Sequence, residues 1–168
     1  MASGYTKSQF GGKDQNACTP PDVLRKLEDL FNSGRRMFDP CPKDPTSDGL
    51  MEEWPAECST CYVNPPYNNI PAWVEKVLVE QKKRKRVVML IPARCDVNWW
   101  HDLILPHASS IHFIRQGIRF VGYKRKCPFP VCVVVFDARD GDAPCYSRLE
   151  MGSLDFYSEE KAVKEAYD

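Results

Sequence analysis

Apolar residues fall in blocks whose spacing changes along the chain, and the changes predict alternating helix and strand. Val23, Leu24, Leu27, Leu30 and Phe31 recur at helical intervals. Thr19 stands ahead of them as an N-cap, Pro20 and Pro21 suit a first turn, and Gly34 suits the end. Arg36 to Asp39 then reads as a first strand. Cys41 to Glu57 carries three prolines and no clear period, so it reads as a loop. Cys61-Tyr62-Val63 is a short buried strand. Trp73, Val74, Val77 and Leu78 mark a second amphipathic helix, and Val87 to Ile91 is a continuous apolar strand. Trp99, Trp100, Leu103 and Ile104 suggest a third helix, followed by strands at Ser110 to Arg115 and Val131 to Phe136. Strands separated by helices favour an α/β sheet, and unbroken apolar runs favour burial of both its faces.

The strand at Cys61 runs into Asn64-Pro65-Pro66-Tyr67. Two prolines fix φ near −65° and remove two backbone donors, so this turn is stiff and rich in free carbonyls. It offers two acceptors, the Asn64 side-chain oxygen and the Pro65 carbonyl, beside the aromatic face of Tyr67. An exocyclic amino group on a planar base has two N–H donors and a π-surface, which is the matching shape. Asn-Pro pairs also mark ordinary strand-end turns.

Charge and cysteine content narrow the field. The chain has 168 residues, 43% hydrophobic and 27% charged, as expected of one soluble globular domain. No uninterrupted apolar stretch approaches 18 residues, and residues 1–16 lack the apolar segment of a secretory signal, so no membrane partner and an intracellular site are expected. In a reducing compartment eight cysteines read as free, buried thiols. Cys58-Ser59-Thr60-Cys61 has the spacing of half a zinc site with no second half, so no metal is expected. The 23 basic and 23 acidic residues cancel, which argues against tight nonspecific nucleic-acid binding. Their distribution argues the other way. Lys82 to Arg86 is wholly basic, Arg119 to Lys126 mixes basic and aromatic residues, and acidic residues gather after Asp137.

An Asn-Pro-Pro-Tyr turn after a strand resembles motif IV of the amino-methyltransferases. The wider run resembles the phage-type DNA adenine-specific methyltransferases, which depend on S-adenosylmethionine. Thr19-Pro20-Pro21 precedes a helix, Phe38-Asp39-Pro40-Cys41 ends a strand, and Asp48-Gly49-Leu50 precedes Trp54. Leu90-Ile91-Pro92-Ala93, Trp99-Trp100, Arg119-Phe120 and the strand Val131 to Phe136 follow in order. The resemblance implies a compact, reduced Rossmann-like methyltransferase sheet with flanking helices. It implies S-adenosylmethionine as cofactor and the exocyclic amino group of adenine in DNA as acceptor, with the base flipped out or unpaired.

Carried onto this sequence, the resemblance makes Asn64, Pro65, Pro66 and Tyr67 catalytic. Thr19, Pro20, Asp39, Pro40, Cys41 and Asn64 would meet the cofactor, Asp39 approaching its ammonium group and Thr19 and Pro20 its carboxylate. The turn Asp39-Pro40-Cys41-Pro42 lacks the glycines many methyltransferases place there. The alternative for Asp39 is a turn-capping residue. Only 24 residues lie between Asp39 and Asn64, fewer than the about 30 of a βαβ unit, so no strand is left for the ribose-binding acid. Asp48 is the candidate, with Asp44 behind it, and either also reads as a plain turn aspartate.

Arg119, Phe120, Tyr123, Lys124, Arg125 and Lys126 form the candidate DNA-binding loop, the basic residues for phosphates and the aromatics to wedge or stack. A solvated hairpin is the alternative. Tyr67, outside its strand, is expected to be exposed. Lys82 to Arg86 reads as a solvated helix end and as the second candidate for DNA. The expected organisation is a flexible segment at 1–17, a methyltransferase domain at 18–138, and an acidic extension at 139–168 with room for a short terminal helix. Two further readings keep the fold: transfer to RNA adenine or protein glutamine, and an inactive nucleic-acid-binding subunit. The oligomeric state is not legible.

Overall fold

Five strands and their flanking helices carry out most of this plan. The computed structural model describes residues 17–137 and the backbone of Cys145–Glu150. Helix α1 spans Pro21–Asn32, strand β1 Thr60–Val63, helix α2 Ile70–Lys82 and strand β2 Arg86–Pro92. Strands β3 (Ser110–Arg115), β4 (Val131–Phe136) and β5 (Cys145–Glu150) follow. The sheet order is β1-β2-β4-β3-β5. β1 and β2 are parallel, β4 is antiparallel to both β2 and β3, and β5 is parallel to β3. β4 is therefore the one reversed strand of the five. The result is an α/β unit with a mixed sheet.

Alternation of side chains across the pleat sends the sheet's apolar residues into two cores. Val63, Val87, Met89, Ile91, Val134 and Phe136 pack with Trp73, Val74 and Val77 of α2 and with Trp100 and Ile104. Tyr62, Val88, Leu90, Val133 and Val135 pack on the other face with Val23 and Leu27 of α1. Burial on both faces explains why β2 and β4 read as continuous apolar runs.

Four expectations are corrected here. The first strand at Arg36 to Asp39 reduces to one bridge, Phe38 to Cys61, with Tyr62 N–H donating to the Phe38 carbonyl (2.8 Å). Arg35 and Arg36 are exposed and Pro40 has no N–H to continue a ladder. The third helix is a five-residue π-helical turn, Trp100–Ile104. Pro20, not Thr19, occupies the N-cap of α1, and Leu30 lies outside the buried stripe at 52% exposure. A further strand that the apolar pattern did not announce, β5, lies within the stretch 139–168 read as an acidic extension. Residues 1–16 of the flexible segment expected at 1–17, and the terminal helix, lie outside the described residues. Among those described, no helix is long and apolar enough to cross a membrane.

Strand direction gathers the chemistry. The carboxyl ends of the Phe38 bridge, β1, β2 and β3 share one rim with the amino end of β4. The turns after Phe38 and Val63 therefore open on the same edge, together with the long loop from β3 to β4.

Candidate active site

β1 is four buried residues held between the Phe38 bridge and β2, so its last carbonyl delivers the chain to the rim at Asn64. The turn is closed at its far end by the Asn69 N–H on the Pro66 carbonyl (3.0 Å), and α2 starts at Ile70. Pro65 is buried and Pro66 half-buried. Among the described residues no donor reaches the Pro65 carbonyl.

The Asn64 amide has a defined orientation. Its Nδ2 donates to the Ala17 carbonyl (2.6 Å) and to Thr19 Oγ1 (3.3 Å). A carbonyl accepts only, so the group against Ala17 must be the amino end. The Asn64 oxygen is left as an acceptor, with no partner among the described residues. Thr19 Oγ1 also shares a hydrogen bond of 2.5 Å with the hydroxyl of Tyr62, which is itself buried. Ala17, expected in the flexible segment, is thus part of the site, as is Tyr62. Neither stood out in the sequence. The one signal was a tyrosine in a buried strand, whose hydroxyl usually finds a partner.

Thr19, Asp39, Cys41, Asp48 and Asn64 come together. Asp39 Oδ1 accepts the Cys41 N–H (2.8 Å), so Asp39 does cap its turn, yet it stays exposed on the rim, its second oxygen without a partner among the described residues. Neighbouring protein desolvates this carboxyl and raises its pKa, against the lowering effect of the Cys41 N–H. Asp39 lies within electrostatic reach of both the Tyr62 hydroxyl and the Cys41 thiol. Burial pushes that thiol up to about 12, and Asp39 and Asp48 add to the shift. Asp48 accepts the Leu50 N–H (3.0 Å) in a turn of its own.

What seats Asp48 beside Asp39 is Gly49, whose importance the sequence did not reveal. A Cβ at Gly49 would lie 2.0 Å from the Pro40 carbonyl oxygen, so only glycine lets the two turns touch. The buried Trp54 Nε1 fixes the contact by donating to the Gly49 carbonyl (2.8 Å).

The aromatic part of the site differs from expectation. Tyr67 is not freely exposed. Its ring is half-buried, edge-on to Phe120 (6.4 Å) and Phe129 (5.8 Å), and its hydroxyl is buried with no hydrogen-bond partner among the described residues. Burial raises the phenol well above its ordinary value, with Cys127 and Tyr62 adding. Phe120 is corrected outright: at 2% exposure it belongs to the core under the loop, with Ile118 and Cys127, and cannot wedge into DNA as it stands. Its basic neighbours masked that. The apolar residue at the tip is Val121, 53% exposed. Arg119, Lys124, Arg125 and Lys126 are exposed and Tyr123 is half-buried. The loop is closed at its base by Cys127 N–H on the Ile118 carbonyl (2.7 Å) and tied to the chain start by Val121 N–H on the Cys18 carbonyl (3.0 Å). Through Phe120 and Phe129 it rests against Tyr67, so its cations stand beside the Asn64 turn.

Lys82 to Arg86 sits at the opposite end of β2 and is only partly solvated. Lys85, 4% exposed, donates to the Cys58 carbonyl (2.8 Å) and to that of Pro55. Arg86 pairs with Asp137 (2.7 Å) and donates to the Phe31 carbonyl. Lys83 reaches Glu80 and Glu53. Internal pairing accounts for much of this run. Cys61 is buried and its thiol is pushed up to about 12 by that burial. Among the described residues no three His, Cys, Asp or Glu are grouped to hold a metal.

The carboxyl rim of this α/β unit thus carries a stiff acceptor turn, an acidic double turn and a basic loop. The model of the family DNA N-6-adenine-methyltransferase (Dam) matches residues 41–130, over half of the 168, and the chain belongs to that family. The matched region includes the Asn64 turn, Asp48-Gly49 and the basic loop, while Thr19, Pro20, Asp39 and Pro40 precede it. No curated protein and no solved structure is detectably similar. Membership gives adenine methylation as the class of activity and DNA as the substrate it implies.

Proposed function

We propose that this chain transfers the methyl group of S-adenosylmethionine to the exocyclic amino nitrogen of adenine in DNA, on a reduced Rossmann-like sheet. The observation that carries the reading is the Asn64 amide, fixed by its amino end so that its oxygen stands free beside the free Pro65 carbonyl. Ligands of parallel sheets bind beyond the strands' carboxyl ends, where both turns open.

The residues present suit the cofactor. Asp39 keeps a carboxyl oxygen for an ammonium group, Thr19 and Pro20 adjoin it, and Asp48 with Pro40 and Cys41 forms the acidic wall for the ribose hydroxyls. When bound, the cofactor supplies an electrophilic methyl on a good leaving group, so the chain itself needs no metal or covalent intermediate.

Asn64 and Pro65 do the activating. The adenine amino lone pair is delocalised into the ring. Accepting both amino hydrogens localises it and offsets the positive charge that grows as the N–C bond forms. One amino proton then leaves to water. The target atom is inaccessible inside a duplex, so the base must be extruded. Tyr67 offers a ring face, with Pro66 stiffening the turn. Arg119, Lys124, Arg125 and Lys126 hold phosphates, and Tyr123 stands within electrostatic reach of Tyr67.

Labelled methyl transfer to DNA, RNA and protein in parallel tests this, with digestion and mass analysis of the product. Label in N6-methyladenine of DNA is expected. Label confined to RNA or to glutamine, or no transfer at all, overturns the reading.

A further inference from the structure

The groups that orient the Asn64 amide all lie outside its own turn. Ala17 and Thr19 precede α1 and Tyr62 lies inside β1, yet they converge on one side chain. We propose that Thr19 and Tyr62 are positioning residues for methyl transfer, which with the Ala17 carbonyl lock Asn64 so that its oxygen faces the substrate amino group. This rests on the assignment of Asn64 as a catalytic acceptor.

A primary amide has two rotamers about its terminal bond that differ little in shape and wholly in function. One presents an acceptor to the substrate, the other two donors that would repel an amino group. The Ala17 carbonyl selects the first, because a flipped amide would set oxygen against oxygen at 2.6 Å. Ala17 alone fixes one N–H; Thr19 takes the other and so fixes the amide plane.

Thr19 is held in turn by Tyr62. Its hydroxyl can donate to Tyr62 or accept from it, and either way an oxygen lone pair remains for Asn64. Tyr62 is anchored by its backbone ladders to Phe38 and β2, so the lock is referenced to the sheet and not to the mobile substrate. Its hydroxyl is therefore aimed at Thr19 by a buried strand paired on both sides. The Cys18 carbonyl, between Ala17 and Thr19, accepts the Val121 N–H of the basic loop (3.0 Å), which ties the lock to that side of the rim.

The test compares Thr19→Val, Thr19→Ser and Tyr62→Phe in the full chain. Proton exchange of the Asn64 side-chain amide, read by NMR, reports the lock without catalysis. Single-turnover transfer at saturating S-adenosylmethionine reports its effect, with cofactor and DNA affinities and melting curves measured alongside. Thr19→Val should speed exchange of the amide protons at least about tenfold and slow transfer roughly 10- to 100-fold, since misplacing a reacting contact by about 1 Å costs on that order. DNA affinity should not change, and Thr19→Ser should restore both readouts. Tyr62→Phe, which spares the cofactor contact, should show the same pair of effects at smaller size. Wild-type amide exchange in Thr19→Val, or a Ser variant no better than Val, overturns the proposal. If the amide lock loosens as described but folded Asn64→Ala still methylates DNA, the fault lies instead in the catalytic assignment, and the positioning role goes with it.

Discussion

Gly49→Ala would add one carbon at the tightest contact on the rim. That carbon would start 2.0 Å from the Pro40 carbonyl oxygen, against the 3.0 Å below which real Cβ atoms essentially never approach. The Asp48-Gly49 turn must therefore retreat by at least about 1 Å, because the atom it meets is backbone and cannot rotate away. Overpacking of this kind costs about 1–3 kcal/mol. In a chain of this size each kcal/mol lowers Tm by about 2–4 °C, so the melting point should fall by about 2–12 °C. The same retreat stretches the Trp54 Nε1 hydrogen bond to Gly49 and moves Asp48 away from Asp39 and Cys41. S-adenosylmethionine should then bind more weakly, whereas Asp48→Asn, which leaves the backbone in place, should weaken it with little change in Tm. Thermal unfolding followed by circular dichroism and calorimetric titration of the cofactor separate the two effects. An unchanged Tm together with unchanged cofactor affinity in Gly49→Ala would refute the seating of one turn on the other.

Desolvation by neighbouring protein raises the Asp39 pKa above its ordinary 3.8, so the folded chain holds that proton more tightly than the unfolded one, and ionisation costs stability that is absent below pH 3.8 and develops as pH rises through the raised pKa. Asp39→Asn, which keeps an acceptor for the Cys41 N–H, should therefore raise Tm at pH 7, lose that gain in acid, and weaken cofactor binding by calorimetry. Replacing Lys124, Arg125 and Lys126 with Ala should weaken DNA binding and flatten its salt dependence, measured by fluorescence anisotropy across a salt series. Arg86→Ala should leave DNA binding alone and cost about 1–3 kcal/mol in denaturant unfolding, since it removes the charged hydrogen bonds to Asp137 and the donor to the Phe31 carbonyl. Alkylation at pH 8 with peptide mapping should find exposed Cys95 ahead of Cys41, Cys61 and Cys132, whose thiols burial holds near 12.

Much of the fold was legible because apolar periodicity reports burial, and β1, α2, β2, β3 and β4 are buried on regular faces. β5 was not. Cys145-Tyr146-Ser147-Arg148-Leu149-Glu150 carries no apolar run, and as an edge strand it is held by a backbone ladder to β3 that leaves no pattern in the side chains. The bridge at Phe38 shows the reverse limit: the residues suit a strand, but a single hydrogen-bonded pair is all that Pro40 allows. In the site, the Asn64 turn could be read because two prolines and an acceptor fix local chemistry. Thr19 was placed near the site by resemblance while its spacing suggested a helix cap, and the structure uses it for Asn64 and Tyr62. Ala17 acts through its backbone carbonyl and Gly49 through the side chain it lacks, so neither leaves a signature that composition or spacing can register. Phe120 and Tyr67 were misjudged for a related reason. Their charged and polar neighbours are exposed, while Phe120 and the Tyr67 hydroxyl point back into the core beneath the loop.

The central claim is that Asn64 acts as an acceptor when charge develops on the adenine amino group, and single-turnover methylation of an adenine-containing duplex by Asn64→Ala tests it most directly. Losing one preorganised contact of this kind costs about 10²–10³ in rate. The account expects a fall of that size in the transfer step, with DNA affinity and the melting curve close to wild type. A folded Asn64→Ala protein that methylates adenine at a near-normal rate would contradict it.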